Sequence, residues 1–208
     1  MEKHLKKEFS EEQKAAMKKC ISDFLAIVDN PEREGLKETP KRVVNYWVEM
    51  LEGQLYTNQE VADYFNKCFD FSDEDDKTVD SSATKNIIIE KGIQVFSHCE
   101  HHLSLMYEMN VAIAYIPKNK VIGLSKMGRI AEMCAKRLQL QEKIGEDINE
   151  VMRLILNTED VAVIIEGKHS CMTARGIKCR EAVTKTLCMR GLFLTDPTIK
   201  ANLFDLLK

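Results

Sequence analysis

The chain has 208 residues, 44% of them hydrophobic, with 30 basic and 33 acidic side chains and a formal charge of −3. That is enough apolar material for one buried core, as a compact domain or a domain with an appendage. The balanced charge gives no general attraction to nucleic acid or an anionic membrane, and no apolar run approaches the ~20 residues of a membrane-spanning helix.

The opening MEKHLKKEFSEEQKAAMKKC is charged and has no apolar centre, so it does not read as a secretory signal. Residues 10 to 27 then carry a helical stripe of Ala16, Cys20, Ile21, Phe24 and Ile27, with Ser10 and Gln13 at capping-box spacing. Pro31, Gly35 and Pro40 interrupt the pattern. Thr39 is the expected N-cap of a second helix with Pro40 at its first position, and Val43, Val44, Trp47, Met50 and Leu51 form its apolar face. A third short helix is expected over residues 59 to 68. Residues 70 to 85 are polar and acidic without periodicity, and read as a solvated connection; they lack the ligand spacing of a calcium-binding loop.

After residue 85 the composition turns β-branched. Strands are expected over residues 86 to 93 and 111 to 116, with a turn at Pro117-Lys118-Asn119-Lys120 and a short apolar Val121-Ile122. From Leu124 to about Leu156 the spacing is helical, with Ile130, Met133, Cys134 and Leu138 on one face and Leu140, Ile144, Ile148, Val151 and Ile155 on another. Gly145 weakens the middle, so one bent helix and two helices both fit. Further strands are expected over residues 161 to 166 and 182 to 189. The order β-β-α-α-β-β argues for an α+β domain with helices against one face of a sheet.

Seven cysteines are an odd number, and Cys20, Cys68 and Cys134 fall in helical-looking segments. This does not suit a disulfide-stapled fold; a reducing cytoplasm suits free thiols and thiolate ligands. Cys99 and His102 stand three positions apart at the end of an expected strand, and His169 and Cys171 stand just beyond another. Two thiolates and one imidazole can hold Zn²⁺ and leave a fourth position for water. His101 and His169 lie next to these ligands and titrate near neutrality, which suits them to proton transfer. His98 is close but directed differently if the strand persists, and Glu100 is ambiguous between contact with a ligand's partner and contact with substrate. The competing reading is a pair of ordinary buried thiols with surface histidines.

Ser125, Lys126 and Arg129 open the central helix, where a helix N-terminus already favours anions. With Arg175 and Lys178 they could neutralise a polyphosphate; separately, each could be solvated charge. Gln139, Gln141 and Glu142 interrupt the helical stripes. A carboxylate such as Glu142 can accept two hydrogen bonds from the N1–H and exocyclic amine of guanine. Helix-surface polarity explains the same residues without a ligand.

Taken together and in order, these segments resemble the GTP cyclohydrolase I family. The resemblance runs through Glu34-Gly35-Leu36-Lys37-Glu38-Thr39-Pro40-Lys41-Arg42, Cys99-Glu100-His101-His102, Ala114-Tyr115-Ile116-Pro117 and Gly123-Leu124-Ser125-Lys126-Met127-Gly128-Arg129-Ile130. It continues in Arg137-Leu138-Gln139-Leu140-Gln141-Glu142, His169-Ser170-Cys171-Met172 and Arg175-Gly176. It implies zinc ligands at Cys99, His102 and Cys171, and catalytic imidazoles at His101 and His169. It implies guanine recognition at Glu142 with Gln141 beside it, and triphosphate contacts at Ser125, Lys126, Arg129 and Arg175. The implied fold is the tunnelling fold (T-fold): an antiparallel sheet packed against two long helices, with an N-terminal helical arm. That arm and the acidic linker would occupy residues 1–84, and the catalytic domain residues 85–208. The implied partners are GTP and further copies of the chain, in a toroid that is usually a decamer of two pentamers with active sites between subunits.

The implied reaction opens the guanine imidazole ring by hydrolysis at C8 and releases that carbon as formate. The ribose then rearranges and closes to 7,8-dihydroneopterin triphosphate, the first step toward folates and pterins. Two segments depart from the family pattern. After its second histidine the family commonly has Leu-(Leu or Val)-Pro-Phe-x-Gly, where this chain has Leu103-Ser104-Leu105-Met106-Tyr107-Glu108. The loss of proline and glycine predicts a changed strand entry that could move His101. Farther on, the usual Lys-Thr-Val-Thr-Ser becomes Val183-Thr184-Lys185-Thr186-Leu187, leaving little expected hydroxyl function. Other tunnelling-fold enzymes use three histidines or a cysteine nucleophile without zinc, and the Cys-Cys-His set argues against both. A zinc-stabilised, non-catalytic oligomer would not need His101, His169 and Glu142 together.

Overall fold

A computed structural model describes residues 7–70 and 86–208. The acidic connection expected over residues 70 to 85 therefore lies, apart from Asp70, outside the described residues. The first helix, α1 (Glu11–Val28), forms with the expected capping box: Gln13 N donates to Ser10 Oγ at 3.2 Å, and Ser10 N donates to Gln13 Oε1 at 2.8 Å. Only Leu25 of this helix is buried, while Phe24, Ile27 and Val28 are exposed. Helix α2 (Thr39–Met50) begins one residue earlier than expected, with Glu38 as N-cap and Thr39 already inside. A 3₁₀ turn (Glu52–Leu55) leads to α3 (Asn58–Phe65), which Thr57 and Glu60 cap reciprocally. The apolar spacing alone would carry this third helix to Cys68. It stops at Phe65, because Cys68–Asp70 forms β1 and pairs antiparallel with β4 (Lys120–Ile122).

The centre is a sheet of β2 (Ile88–Cys99), β3 (Ser104–Tyr115), β5 (Leu138–Gln139), β6 (Val161–His169) and β7 (Thr184–Met189), in the order β5-β2-β3-β6-β7. All neighbours are antiparallel except β5, which runs parallel to the end of β2. Ladder hydrogen bonds carry β2, β3 and β6 past the β-branched runs that mark them in the sequence. Helices α4 (Leu124–Ala135) and α5 (Gln141–Leu156) cover one face. Met127, Ile130, Ile144, Ile148, Val151 and Met152 pack there on Val95, Met109, Val111, Ile113, Val163 and Ile165. The helical stretch is thus two helices, broken at residues 136–140 rather than at Gly145, which lies buried inside α5. Leu138, expected on a helix face, sits in β5.

Helices do not cover one face alone. Ala114 and Ala162 alternate with Ile113 and Val163, so they point to the other side of the sheet. There they meet Phe193 of a short helix, α7 (Leu192–Thr195), and Ile199 and Leu203 of α8 (Pro197–Leu207). The start of α8 has a local cause: Asp196 accepts from Thr198 N and Ile199 N, and Pro197 occupies the first turn. No helix among the described residues is long and apolar enough to cross a membrane.

The break between α4 and α5 is built around a buried guanidinium. Arg137 Nε donates to Gly53 O at 3.1 Å, Nη2 to Tyr56 O at 3.1 Å, and Nη1 to Asn58 Oδ1 and Asp147 Oδ2 at 2.7 Å each. A side chain at Gly53 would collide with the backbone oxygens of Met133 and Lys136, so only glycine allows this approach. The clamp ties the segment before α3 to α5 and fixes where β5 meets β2.

Candidate metal and active site

Cys99 is the last residue of β2, and residues 100–103 make the turn into β3. His102 N and Leu103 N both donate to Cys99 O, at 3.4 and 2.9 Å, and Leu103 closes the turn with a left-handed φ of 51°. This curls His102 back over Cys99. Across the sheet, Met106 of β3 faces His169 of β6. There β6 runs into a one-turn helix, α6 (Ser170–Thr173), that carries Cys171. Ser170 Oγ donates to Leu105 O at 2.7 Å and Tyr107 OH to Thr173 Oγ1 at 3.0 Å, so β3 holds this turn at both ends.

The ligand atoms of Cys99, His102 and Cys171 lie within 4.8 Å of one another. Zinc bonds of ~2.3 Å to sulfur and ~2.0 Å to nitrogen separate tetrahedral ligands by somewhat less, so small side-chain rotations close the set. Two thiols and an imidazole are a donor set that suits zinc. Burial pushes the Cys171 thiol up, and the Cys99 sulfur beside it adds to the rise. A cation bound between the two sulfurs would favour their thiolate forms.

Around this cluster the histidines differ. His169 is half-buried; burial lowers its pKa and the Glu142 carboxylate opposes that shift. Its Nε2 meets Gln141 Oε1 at 2.9 Å. His101 is exposed on the turn, with Nε2 4.0 Å from Glu100 Oε1 and its ring 6.3 Å from that of His102. His98 is buried and faces the helical arm: Nε2 bonds Tyr46 OH at 2.6 Å, and its ring packs on Trp47. Its role is therefore to dock α2 on the sheet, and burial lowers its pKa.

Glu142 is exposed in the first turn of α5, close enough for its charge to act on His169. Arg175 lies close enough to act on Cys171. Gln141, expected next to Glu142 at a ligand, points inward and is 1% exposed. Ser125, Lys126 and Arg129 come from a different element. They stand in the first turns of α4, whose other end leads through Ala135 into β5 beside Cys99. At 1.5 Å rise per residue, Ser125 stands ~15 Å and Arg129 ~9 Å along the helix axis from Ala135. Lys126 Nζ sits over the Phe65 ring, 5.6 Å from its centre.

A family model for GTP cyclohydrolase I matches residues 16–208. The chain belongs to the GTP cyclohydrolase I family. A protein named GTP cyclohydrolase 1 from Clostridium botulinum (strain Loch Maree / Type A3) is 55% identical over 183 residues, covering 88% of this chain and 91% of that one. Those of the same name from Ruminiclostridium cellulolyticum and Clostridium acetobutylicum are 53% and 49% identical, covering 89% and 94% of this chain and 92% and 97% of their own.

Glu108 stands where the family pattern has glycine, and it adopts the left-handed φ of 50° that glycine takes without strain. Here the β3–β6 register shifts between Tyr107 and Asn110, and Glu108 pairs with Lys168 at 2.9 Å. On β7 the expectation of little hydroxyl function is corrected: Thr186 Oγ1 accepts from Gln141 Nε2 at 3.1 Å. Sequence reasoning also missed Ser170 and Tyr107 as supports of the Cys171 turn. Ser170 sits inside the His-Ser-Cys segment, but nothing local indicates that it reaches β3.

Proposed function

We propose that this chain is a zinc-dependent GTP cyclohydrolase I, converting GTP and water to 7,8-dihydroneopterin triphosphate and formate in the route to folates and pterins. The observation that carries the reading is the meeting of Cys99, His102 and Cys171 within 4.8 Å, with His169 and Glu142 at its edge, in a chain of this family. Cys99, His102 and Cys171 would hold zinc, which would supply the Lewis acidity that makes water nucleophilic at neutral pH.

The remaining steps belong to side chains. Glu142 accepts the N1–H and exocyclic amine of guanine and orients C8 toward the cluster. His169 and His101 move protons to and from the ring nitrogens as the C8 bonds break. Ser125, Lys126, Arg129 and Arg175 hold the triphosphate, which leaves intact on the product.

The catalytic unit is a tunnelling-fold domain of residues 85–208, with residues 1–84 as arm and linker, working in the cytoplasm as a decamer of two pentamers. Active sites between copies follow from the family resemblance, with Lys126 and Arg129 on α4 as the triphosphate contacts. The exposed Phe24, Ile27 and Val28 of α1 offer the arm an apolar face to bury against a neighbour.

Purified zinc-replete protein incubated with GTP should release formate and yield a pterin that fluoresces on oxidation. His169→Ala and His101→Ala should keep zinc and assembly while abolishing full conversion. Normal dihydroneopterin triphosphate formation by either variant would sink its assigned role.

A further inference from the structure

We propose that Gln141 is a positioning residue for His169, fixing its imidazole as the Nε2–H tautomer so that Nδ1 alone exchanges protons with the substrate. The inference rests on the reading of His169 as a catalytic imidazole.

The orientation of the Gln141 amide decides the tautomer. Its nitrogen lies 3.1 Å from each of Ile165 O, Thr184 O and Thr186 Oγ1. Two of these are carbonyl oxygens, which only accept, so the NH₂ group must face them. Oε1 is then the atom 2.9 Å from His169 Nε2. An amide oxygen also only accepts, so the proton of this bond belongs to Nε2. In the neutral ring the lone pair is therefore on Nδ1.

The setting makes this arrangement stiff. Gln141 is 1% exposed and is held by β6 and β7 while its backbone opens α5. Gly167 leaves room for it: a Cβ there would stand 3.4 Å from Gln141 Oε1 and 2.8 Å from Met109 Cγ. Adjacent residues on a helix point about 100° apart, so Gln141 turns in to the imidazole while Glu142 turns out to solvent. The pair divides two tasks, proton geometry and base recognition. A wrong tautomer at an otherwise intact catalytic histidine costs up to ~10⁴-fold in turnover in a serine-protease triad, so a single fixing bond is enough to matter.

Gln141→Met, Gln141→Glu and Thr186→Val are assayed as zinc-loaded holoenzymes with GTP, beside His169→Ala. Gln141→Met should lower kcat for formate release by about 10- to 100-fold with KM for GTP within about two-fold, at unchanged zinc content and oligomer size. Gln141→Glu keeps an acceptor for Nε2–H and should recover part of that loss; Thr186→Val should lower kcat by only about two- to five-fold. Without relying on any Gln141 variant's folding, solid-state ¹⁵N spectra of histidine-labelled wild-type protein, with His169 assigned by its loss in His169→Ala, should show a protonated Nε2.

A rise in KM at unchanged kcat would make Gln141 a substrate contact and overturn the proposal. Unchanged kinetics in Gln141→Met, or a protonated Nδ1 with a bare Nε2, would overturn it equally. Full activity of His169→Ala would instead remove the functional reading beneath it.

Discussion

Two polar clusters lie near the end of β2 and differ in what they leave free. Around Arg137 every strong group is matched: the guanidinium has four protein partners, and both Asp147 oxygens are taken, by Arg137, Lys143 and Asn58. Around Cys99, two thiols and one imidazole bring their ligand atoms within 4.8 Å of one another. The first cluster is complete inside the chain and holds elements together. The second is completed only by something bound, which is what a metal and substrate site requires.

Breaking the open cluster should cost the most. Cys171→Ala is expected to abolish stoichiometric zinc and lower formate release by at least ~10³-fold, while metal-free unfolding free energy moves by less than about 1 kcal/mol. Metal analysis and denaturant titration of the same sample check both; full zinc content would end the metal reading.

The closed cluster should respond in the opposite sense. Arg137→Met leaves Asp147 buried with its charge poorly compensated and should cost about 3–5 kcal/mol of stability by urea unfolding. Adding Asp147→Leu should recover part of it, and strict additivity would refute the coupling.

Glu142→Gln lies between these cases. Its carboxylate is exposed, so stability should hold within about 0.5 kcal/mol while KM for GTP rises about 10- to 100-fold.

An effect confined to alkaline pH is proton-linked. Burial pushes the Cys134 thiol up to about 12 from an ordinary value of 9.0. The folded protein keeps this proton while the unfolded chain releases it, so stability present below pH 9 falls as pH rises toward 12. One proton contributes about 1.4 kcal/mol per pH unit. Cys134→Ala should flatten the alkaline limb of a stability–pH curve relative to wild type; identical slopes would disprove the link.

The least effect is expected at Glu108→Gly. Relief of the left-handed backbone outweighs the glycine entropy cost and a half-exposed ion pair by about 0.5 kcal/mol, read as a small rise in urea midpoint.

Elements with local causes are legible in the sequence. Ser10 and Gln13 announce the start of α1, and the β-branched runs announce β2, β3 and β6. The Cys-x-x-His and His-x-Cys segments announce a metal site because ligand types at strand ends are a local pattern. The end of α3 is not legible, because Cys68–Asp70 joins a strand whose partner lies at Lys120–Ile122. Nor is the break at residues 136–140, where a buried charge rather than Gly145 interrupts the helix.

The sequence by itself determined the chemistry on offer: two thiols, an imidazole, two more histidines and a carboxylate in a fixed order. Only the tertiary structure decided which way each one turns. His98 docks the arm, Gln141 grips His169, and Lys126 lies over the Phe65 ring. Residue type sets what a group can donate, accept or ligate. Strand register, helix phase and the buried acceptors across the sheet set what it meets, and those are properties of distant segments brought together.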